Sequence, residues 1–570
     1  MFHNHAELQS ARALVIESQP QARAILANQL RDFGIGTVLQ CGRLSDARLK
    51  LETGTYDFIL CEQYFDGEDQ TGQEFLDELR RDQLLPFLTV FVMVTSDASY
   101  AMVAEAAESA VDAFLVKPHT AAGLAERINQ ARNRKMALKA VFTALDAGRV
   151  DEACQLCEAH FAARKPHGLY AARLGAELML KQGRLADAQA LFASVASAEA
   201  APWAHLGIAR AQLEARQPQH ATTTLSALIQ RDPGYTDAHD IMGRAQFELG
   251  QFQNALNSFR TATRHTPSSI SRLLRHGMMA YHAGERPEGL EQLDRASRIG
   301  LHSKLFDAGA LVLLAFARQD DNDGRGLARC AEQLAQLQLR HPESERLERL
   351  SDVMTALTAL QNQETPRALE EVRRMAQMAR NPTFDFESAG YLLALMTRLA
   401  LRSIQLYEID AAVDTLGLRF GTSHALTEWL ACFTEGRSDF GKRIRTAHET
   451  VATANAEAVA QCLNGDAEAG VRALVAFAEE TLNARTIETA HELLERHGEA
   501  IASAEALRRT VQTMRTRYRT SQPPPALGEQ AHTGRAAGGL SLPTGYRPRR
   551  ANGPLMSTSM VAPNTAPASA

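Results

Sequence analysis

Four short apolar runs in the first 120 residues each end on side chains that can carry charge or donate hydrogen bonds. Glu17 and Ser18 follow Ala13–Ile16, Glu62 follows Phe58–Cys61, Thr95 and Ser96 follow Thr89–Val94, and Lys117 with Pro118 follows Ala113–Val116. Two carboxylates on such ends offer oxygen to a hard divalent cation, although two side-chain ligands make a weak site. A carboxylate near an ammonium is also favoured at close range, so Glu62 is expected to reach toward Lys117. The chain has only eight lysines in 570 residues, so a lysine among these groups carries weight. A second candidate is Cys154-x-x-Cys157 with His160. A zinc site would want another ligand pair nearby, which is absent, so this trio reads as packing.

The runs themselves dictate how the first group is positioned. With Thr37–Leu39 there are five β-prone stretches, each followed by a polar segment suited to a helix. They are continuously apolar rather than alternating, as expected of parallel strands buried on both faces. The expected architecture is a doubly wound, flavodoxin-like α/β domain of five parallel strands, with its site at the carboxyl ends of the strands.

After about residue 136 the strand signals stop and a period appears. Gly or a substitute, followed five residues later by Ala or Gly, recurs at Gly148/Ala153, Gly183/Ala188, Arg216/Ala221, Gly250/Ala255 and Gly284/Gly289, in steps of 35, 33, 34 and 34. Four residues further on stands a core-sized side chain in each case: Cys157, Phe192, Leu225, Phe259 and Leu293. Gly243 and Gly277, and Ala262 and Ala296, keep the same 34-residue step, while Pro233 and Pro267 close two units. Small residues let antiparallel helices approach, glycine ends the first helix and proline stops the second. The expectation is an all-α array of helix pairs over 136–300 and degenerate pairs over 301–520. A flexible leader is expected over 1–10, and a disordered tail rich in Pro, Gly, Ala and Ser over 521–570.

Composition narrows the function. A net charge of -6 gives no global basic field for nucleic acid or anionic lipid. Seven scattered cysteines make no disulfide framework, and no apolar stretch reaches the ~20 residues that span a bilayer. Together with an N-terminus unlike a secretory signal, these features indicate a cytoplasmic protein without membrane insertion. No phosphate-cradling glycine loop, nucleophile elbow or His-Glu-x-x-His motif is present, so the chain reads as a non-enzyme.

The cluster Glu17, Ser18, Glu62, Thr95, Ser96 and Lys117-Pro118, together with Phe114, resembles the receiver domain of bacterial response regulators over residues 11–132. In that family an acidic pair and a phosphoacceptor aspartate bind magnesium, a Thr or Ser contacts the phosphoryl group, a Lys before Pro pairs with it, and an aromatic changes rotamer. Two positions depart: Glu62 stands at the phosphoacceptor place and Ser18 at that of the second acid. The resemblance thus implies a degenerate receiver, with magnesium at most weakly held by Glu17 and Glu62. Asp66 in the loop after Glu62 is a further acid that nothing in the sequence places. The helical region resembles tetratricopeptide (TPR) repeats, with Gly243, Gly250, Ala255, Phe259, Ala262 and Pro267, then Gly277, Gly284 and Ala296, as packing positions. His239 replaces the aromatic that often opens the first helix of a unit. The implied function is a two-component adaptor whose concave helical face binds protein: another response regulator, a histidine kinase or another signalling protein. Alternatives are a phosphorylation-competent regulator with the repeats as switched output, and a transcriptional regulator, although the bulk charge argues against DNA. The segment Arg132–Lys139 has neither Pro nor Gly, which predicts a rigid joint between receiver and repeats.

Overall fold

The computed structural model describes residues 8–65, 70–82, 84–96, 111–198, 201–303, 305–402, 408–520 and Leu527. Asp66, the Ala-rich segment 101–110 and all of the tail except Leu527 lie outside the described residues. Two compact units are present, divided between Ile241 and Met242.

The first unit opens with strands β1 (Arg12–Ile16), β2 (Thr37–Cys41), β3 (Phe58–Glu62), β4 (Val90–Thr95) and β5 (Ala113–Val116). They form one parallel sheet in the order β2-β1-β3-β4-β5. Every residue of β3 and β4 is buried, as their unbroken apolar sequences require. The edge strands β2 and β5 are only partly covered. Helices α1 (Pro20–Asp32), α2 (Leu44–Thr53), α3 (Gly72–Arg81) and α4 (Ala121–Ala137) accompany the sheet. Leu8, which the sequence puts in a flexible leader, is instead part of this core. It is 5% exposed and its carbonyl accepts hydrogen bonds from the Ala11 and Gly36 amides. A Cβ at Gly36 would sit 1.8 Å from the Gln9 carbonyl oxygen, so glycine lets the leader lie against the entry to β2.

Beyond the sheet the unit is helical: α5 (Lys139–Asp146), α6 (Val150–Ala162), α7 (Gly168–Lys181), α8 (Leu185–Ala198), α9 (Pro202–Glu214) and α10 (Pro218–Arg231). Only Leu138 separates α4 from α5, and the Leu138 amide still donates to the Arg134 and Lys135 carbonyls. Leu138, Val141 and Phe142 belong to a single apolar cluster that contains Phe75, Phe91 and Met93 on the receiver side and Cys157, Ala171 and Phe192 on the repeat side. Sheet and first repeats therefore share one core. Beside the joint, Lys135 and Asp112 form a buried ion pair in which Asp112 also accepts the Phe91 amide at 2.8 Å. Burial pushes the Lys135 ammonium down to about 8 and the Asp112 carboxyl up.

α11 (Thr236–Glu248), α12 (Phe252–His265), α13 (Ile270–His282) and α14 (Arg286–Gly300) are the next helices in the chain. The periodic position of each turn is left-handed: Gly148 (φ 71°), Gly183 (74°), Arg216 (58°), Gly250 (72°) and Gly284 (88°). The same conformation recurs at Asn322 (56°) and Gln363 (62°), in the turns that join Gly309–Asp320 to Gly324–Arg340 and Glu345–Gln361 to Thr365–Gln377. In α11 and α13, a Cβ on Gly243 would lie 2.7 Å from the Phe259 ring and one on Gly277 2.7 Å from Leu293. Ala255, Ala262 and Ala296 are fully buried and Pro267 follows the end of α12.

In the second unit, α13 and the helices Gly309–Asp320 and Phe386–Leu401 are buried nearly all round. Arg346 ties their neighbourhood together, bonding Asp307 at 2.5 Å and Glu387 at 2.8 Å, while the Tyr391 hydroxyl donates to the Gly309 carbonyl at 3.2 Å. Trp429, from the helix His424–Cys432, is buried against Phe247, Phe252 and His282. These rings form an aromatic cluster within the unit, whose burial from water stabilises it.

Two predictions follow from these contacts. Gly284→Ala meets no atom within 4 Å and pays only for its left-handed backbone, so it should lower stability by about 1 kcal/mol, whereas Arg216→Gly should be neutral or gain up to ~1 kcal/mol in urea unfolding. Lys135→Met should destabilise by about 3–5 kcal/mol because it strands the buried Asp112 carboxylate, while Lys135→Met combined with Asp112→Leu should cost less than the single change.

Candidate receiver pocket

The carboxyl ends of β1, β3 and β5 bring three charged groups together. Lys117 Nζ donates to Glu17 Oε2 at 2.7 Å and also to Glu62 Oε2. The other oxygen of each carboxylate is held by backbone: the Gln19 amide donates to Glu17 Oε1 at 3.0 Å and the Gln63 amide to Glu62 Oε1 at 3.0 Å. Both carboxylates are nearly sealed from solvent, at 1% and 8% side-chain exposure, while the lysine is 25% exposed. One ammonium is thus shared by two buried acids.

That sharing sets the ionisation. Burial alone would raise Glu17, but the adjoining Glu62 carboxyl and the Lys117 and Gln19 donors outweigh it and hold Glu17 below its ordinary range. Burial and then the neighbouring Glu17 raise Glu62 to about 7, against the pull of Lys117. Burial lowers Lys117, yet its two acidic partners more than offset this and raise it above its usual value. The pair of carboxylates therefore retains a proton well above the pH at which an exposed glutamate loses it.

The remaining residues of the group are arranged around this centre. Thr95 ends β4, fully buried, and its carbonyl accepts the Lys117 amide at 2.7 Å. Ser96 is exposed beyond it and Ser18 is half-buried beside Glu17. Phe114 is half-buried on β5 and packs on the core shared with the repeats. The Lys117–Pro118 peptide bond is cis. Arg23, which the sequence did not single out, donates from α1 to the carbonyls of Glu17 at 2.6 Å and Ser18 at 3.1 Å, fixing that loop. A Cβ at Gly72 would lie 2.1 Å from the Glu62 carbonyl oxygen, so glycine lets the start of α3 approach the end of β3.

The donor set does not fit magnesium. Its two side-chain carboxylates already accept from Lys117 and from backbone amides, and Ser18 brings a hydroxyl where a third carboxylate would be needed. Among the described residues no group of three or more His, Cys, Asp or Glu side chains is placed to hold a metal ion. This includes the Cys154 trio: both thiols are fully buried and raised by that burial, Cys154 to about 11, and His160 instead meets the Pro166 carbonyl at 2.7 Å.

Fold and site together define a receiver-type domain built into an array of helix pairs. Residues 13–129 match the family model of the response regulator receiver domain, and 179–245 match that of the tetratricopeptide repeat. The chemotaxis protein CheY of Pseudomonas aeruginosa is 32% identical over 119 residues, which cover 21% of this chain and 94% of that protein. The chemotaxis protein CheY-3 of Vibrio cholerae is 30% identical over 119 residues, covering 89% of its length. The chain belongs to the response regulator receiver family through this domain and carries tetratricopeptide repeats after it. Among solved structures, a response regulator receiver domain protein from Clostridium thermocellum covers 23% of the chain at 22% identity and a TM-score of 0.20. The corresponding values for MamA are 28%, 17% and 0.25, with 99% and 92% of the two solved chains covered.

The shared lysine makes stability depend on pH in a defined sense. Glu62 is raised from 4.5 to about 7 on folding, so the native state holds a proton that the unfolded chain releases. Its contribution to stability therefore falls as pH rises from 4.5 to about 7, and Glu62→Gln should remove that slope. Variant and wild type should differ more in the variant's favour at pH 8 than at pH 5, measured as urea midpoints followed by a probe in the first unit.

Proposed function

We propose that this receiver no longer takes phosphate and that the protein works as a non-enzymatic, protein-binding adaptor in two-component signalling in the cytoplasm. The observation that carries the reading is the Lys117 ammonium held by Glu17 and Glu62 together. Phosphoryl transfer to a carboxylate needs a reachable nucleophile and charge neutralisation at the attacking and leaving oxygens. Here Glu62 would have to leave its lysine, and Ser18 supplies no carboxylate for a metal ion. Glu62 bonded to Lys117 instead stands in for a phosphorylated residue, so the pocket keeps one arrangement permanently.

Partner binding falls to protein surfaces, in keeping with the repeat class. The partner would be another response regulator, a histidine kinase or a further signalling protein. Among the described residues no helix is long and apolar enough to cross a membrane.

The test is intact mass after incubation with magnesium and acetyl phosphate. Wild type should gain no phosphoryl group, and Ser18→Asp combined with Glu62→Asp should gain one. Uptake by wild type would overturn the reading and make the chain a working response regulator.

A further inference from the structure

The two faces of the receiver sheet differ in what they touch. One face packs Leu26, Leu30, Leu124 and Ile128 of α1 and α4 into a core that contains no residue of the repeats. The other face, with α2, α3 and the loop Leu84–Leu88, is continuous with the repeat core. Of those elements, α3 also begins at the charged pocket.

Its first turn is pinned to β3. The Gly72 amide donates to the Gln63 carbonyl at 2.8 Å, and the glycine sits so close that a Cβ would lie 2.1 Å from the Glu62 carbonyl oxygen and 3.1 Å from Cys61 Sγ. A capping box stiffens this end: Thr71 Oγ1 accepts the Glu74 amide at 3.2 Å and Glu74 accepts the Thr71 amide at 2.7 Å. The buried side of the helix enters the shared core. Phe75 and Leu79 share the cluster of Val141, Phe142, Cys157 and Ala171, and Arg80 is 7% exposed. The charge of Arg80 is felt by Lys135 of α4 and by Lys181 of α7.

We infer that α3 is a strut that couples the Glu62 end of β3 to the first repeat pairs, so that the pocket and α5–α7 move as one. A ten-residue helix spans about 15 Å. Its buried Phe75, Leu76 and Leu79 belong to the core that continues into the repeats, and close packing there lets a displacement of β3 be transmitted rather than absorbed. Coupling of this kind is reciprocal: a change at the joint must be felt at the pocket as strongly as the reverse. It does not depend on whether the pocket takes phosphate, so phosphate uptake by wild type would leave it standing.

Hydrogen–deuterium exchange of the full chain tests the coupling in both directions. Glu62→Gln should speed exchange in peptides covering Lys139–Lys181 by about tenfold, while peptides from 309–401 keep their protection and report intact folding. Arg80→Met should in turn alter exchange across Phe58–Gln63. Thr71→Ala, which removes only the cap, should weaken both effects. Changes confined to residues 58–76 in the first variant, and to the joint in the second, would overturn the inference.

Discussion

The receiver depends on a single ammonium held between two buried carboxylates. Removing Glu17 and Glu62 from water is costly unless each finds a partner, and Lys117 supplies one partner to both while the backbone amides of Gln19 and Gln63 supply the rest. The arrangement is neutralised from within. It commits every carboxylate oxygen to a donor and keeps a proton on the pair close to neutral pH.

This matters beyond the pocket because the domain is not a separate bead. The single-residue break at Leu138, the cluster running from Met93 to Phe192 and the buried Lys135–Asp112 pair make the sheet and the first helix pairs one packed body. In the second unit, the inner helices are buried on nearly all sides, with Arg346 bonded to Asp307 and Glu387 and Trp429 packed among aromatic rings.

Much of this was legible in the sequence because the signals were local. Unbroken apolar runs such as Phe58–Cys61 and Thr89–Val94 marked the buried parallel strands, and strand ends placed Glu17, Glu62 and Lys117 on one edge. Gly148, Gly183, Gly250 and Gly284 marked turns that need a left-handed residue, and even Arg216 kept the column. The pattern faded after residue 300 for a physical reason. The turns at Asn322 and Gln363 keep the conformation without glycine, and the spacing stretches to 38 and 41 residues. What stayed hidden was long-range: Leu8 completing the core, Asp112 meeting Lys135, Arg346 joining Asp307 and Glu387, and Trp429 packing against Phe247, Phe252 and His282. Each of these pairs partners distant in the chain, where no period or motif links them. Lys117 was visible as a lysine before a proline, but its division between two acids required the sheet.

The most direct test of the account is whether the ammonium excludes a divalent cation. Manganese(II) binding, followed by the loss of its free electron paramagnetic resonance signal, should be negligible for wild type at about 1 mM metal and should appear in Lys117→Met, where the two carboxylates are released to an oxygen-seeking ion. Stoichiometric binding by wild type with the lysine in place would contradict the account, because it would show the carboxylates free to serve a metal rather than committed to Lys117.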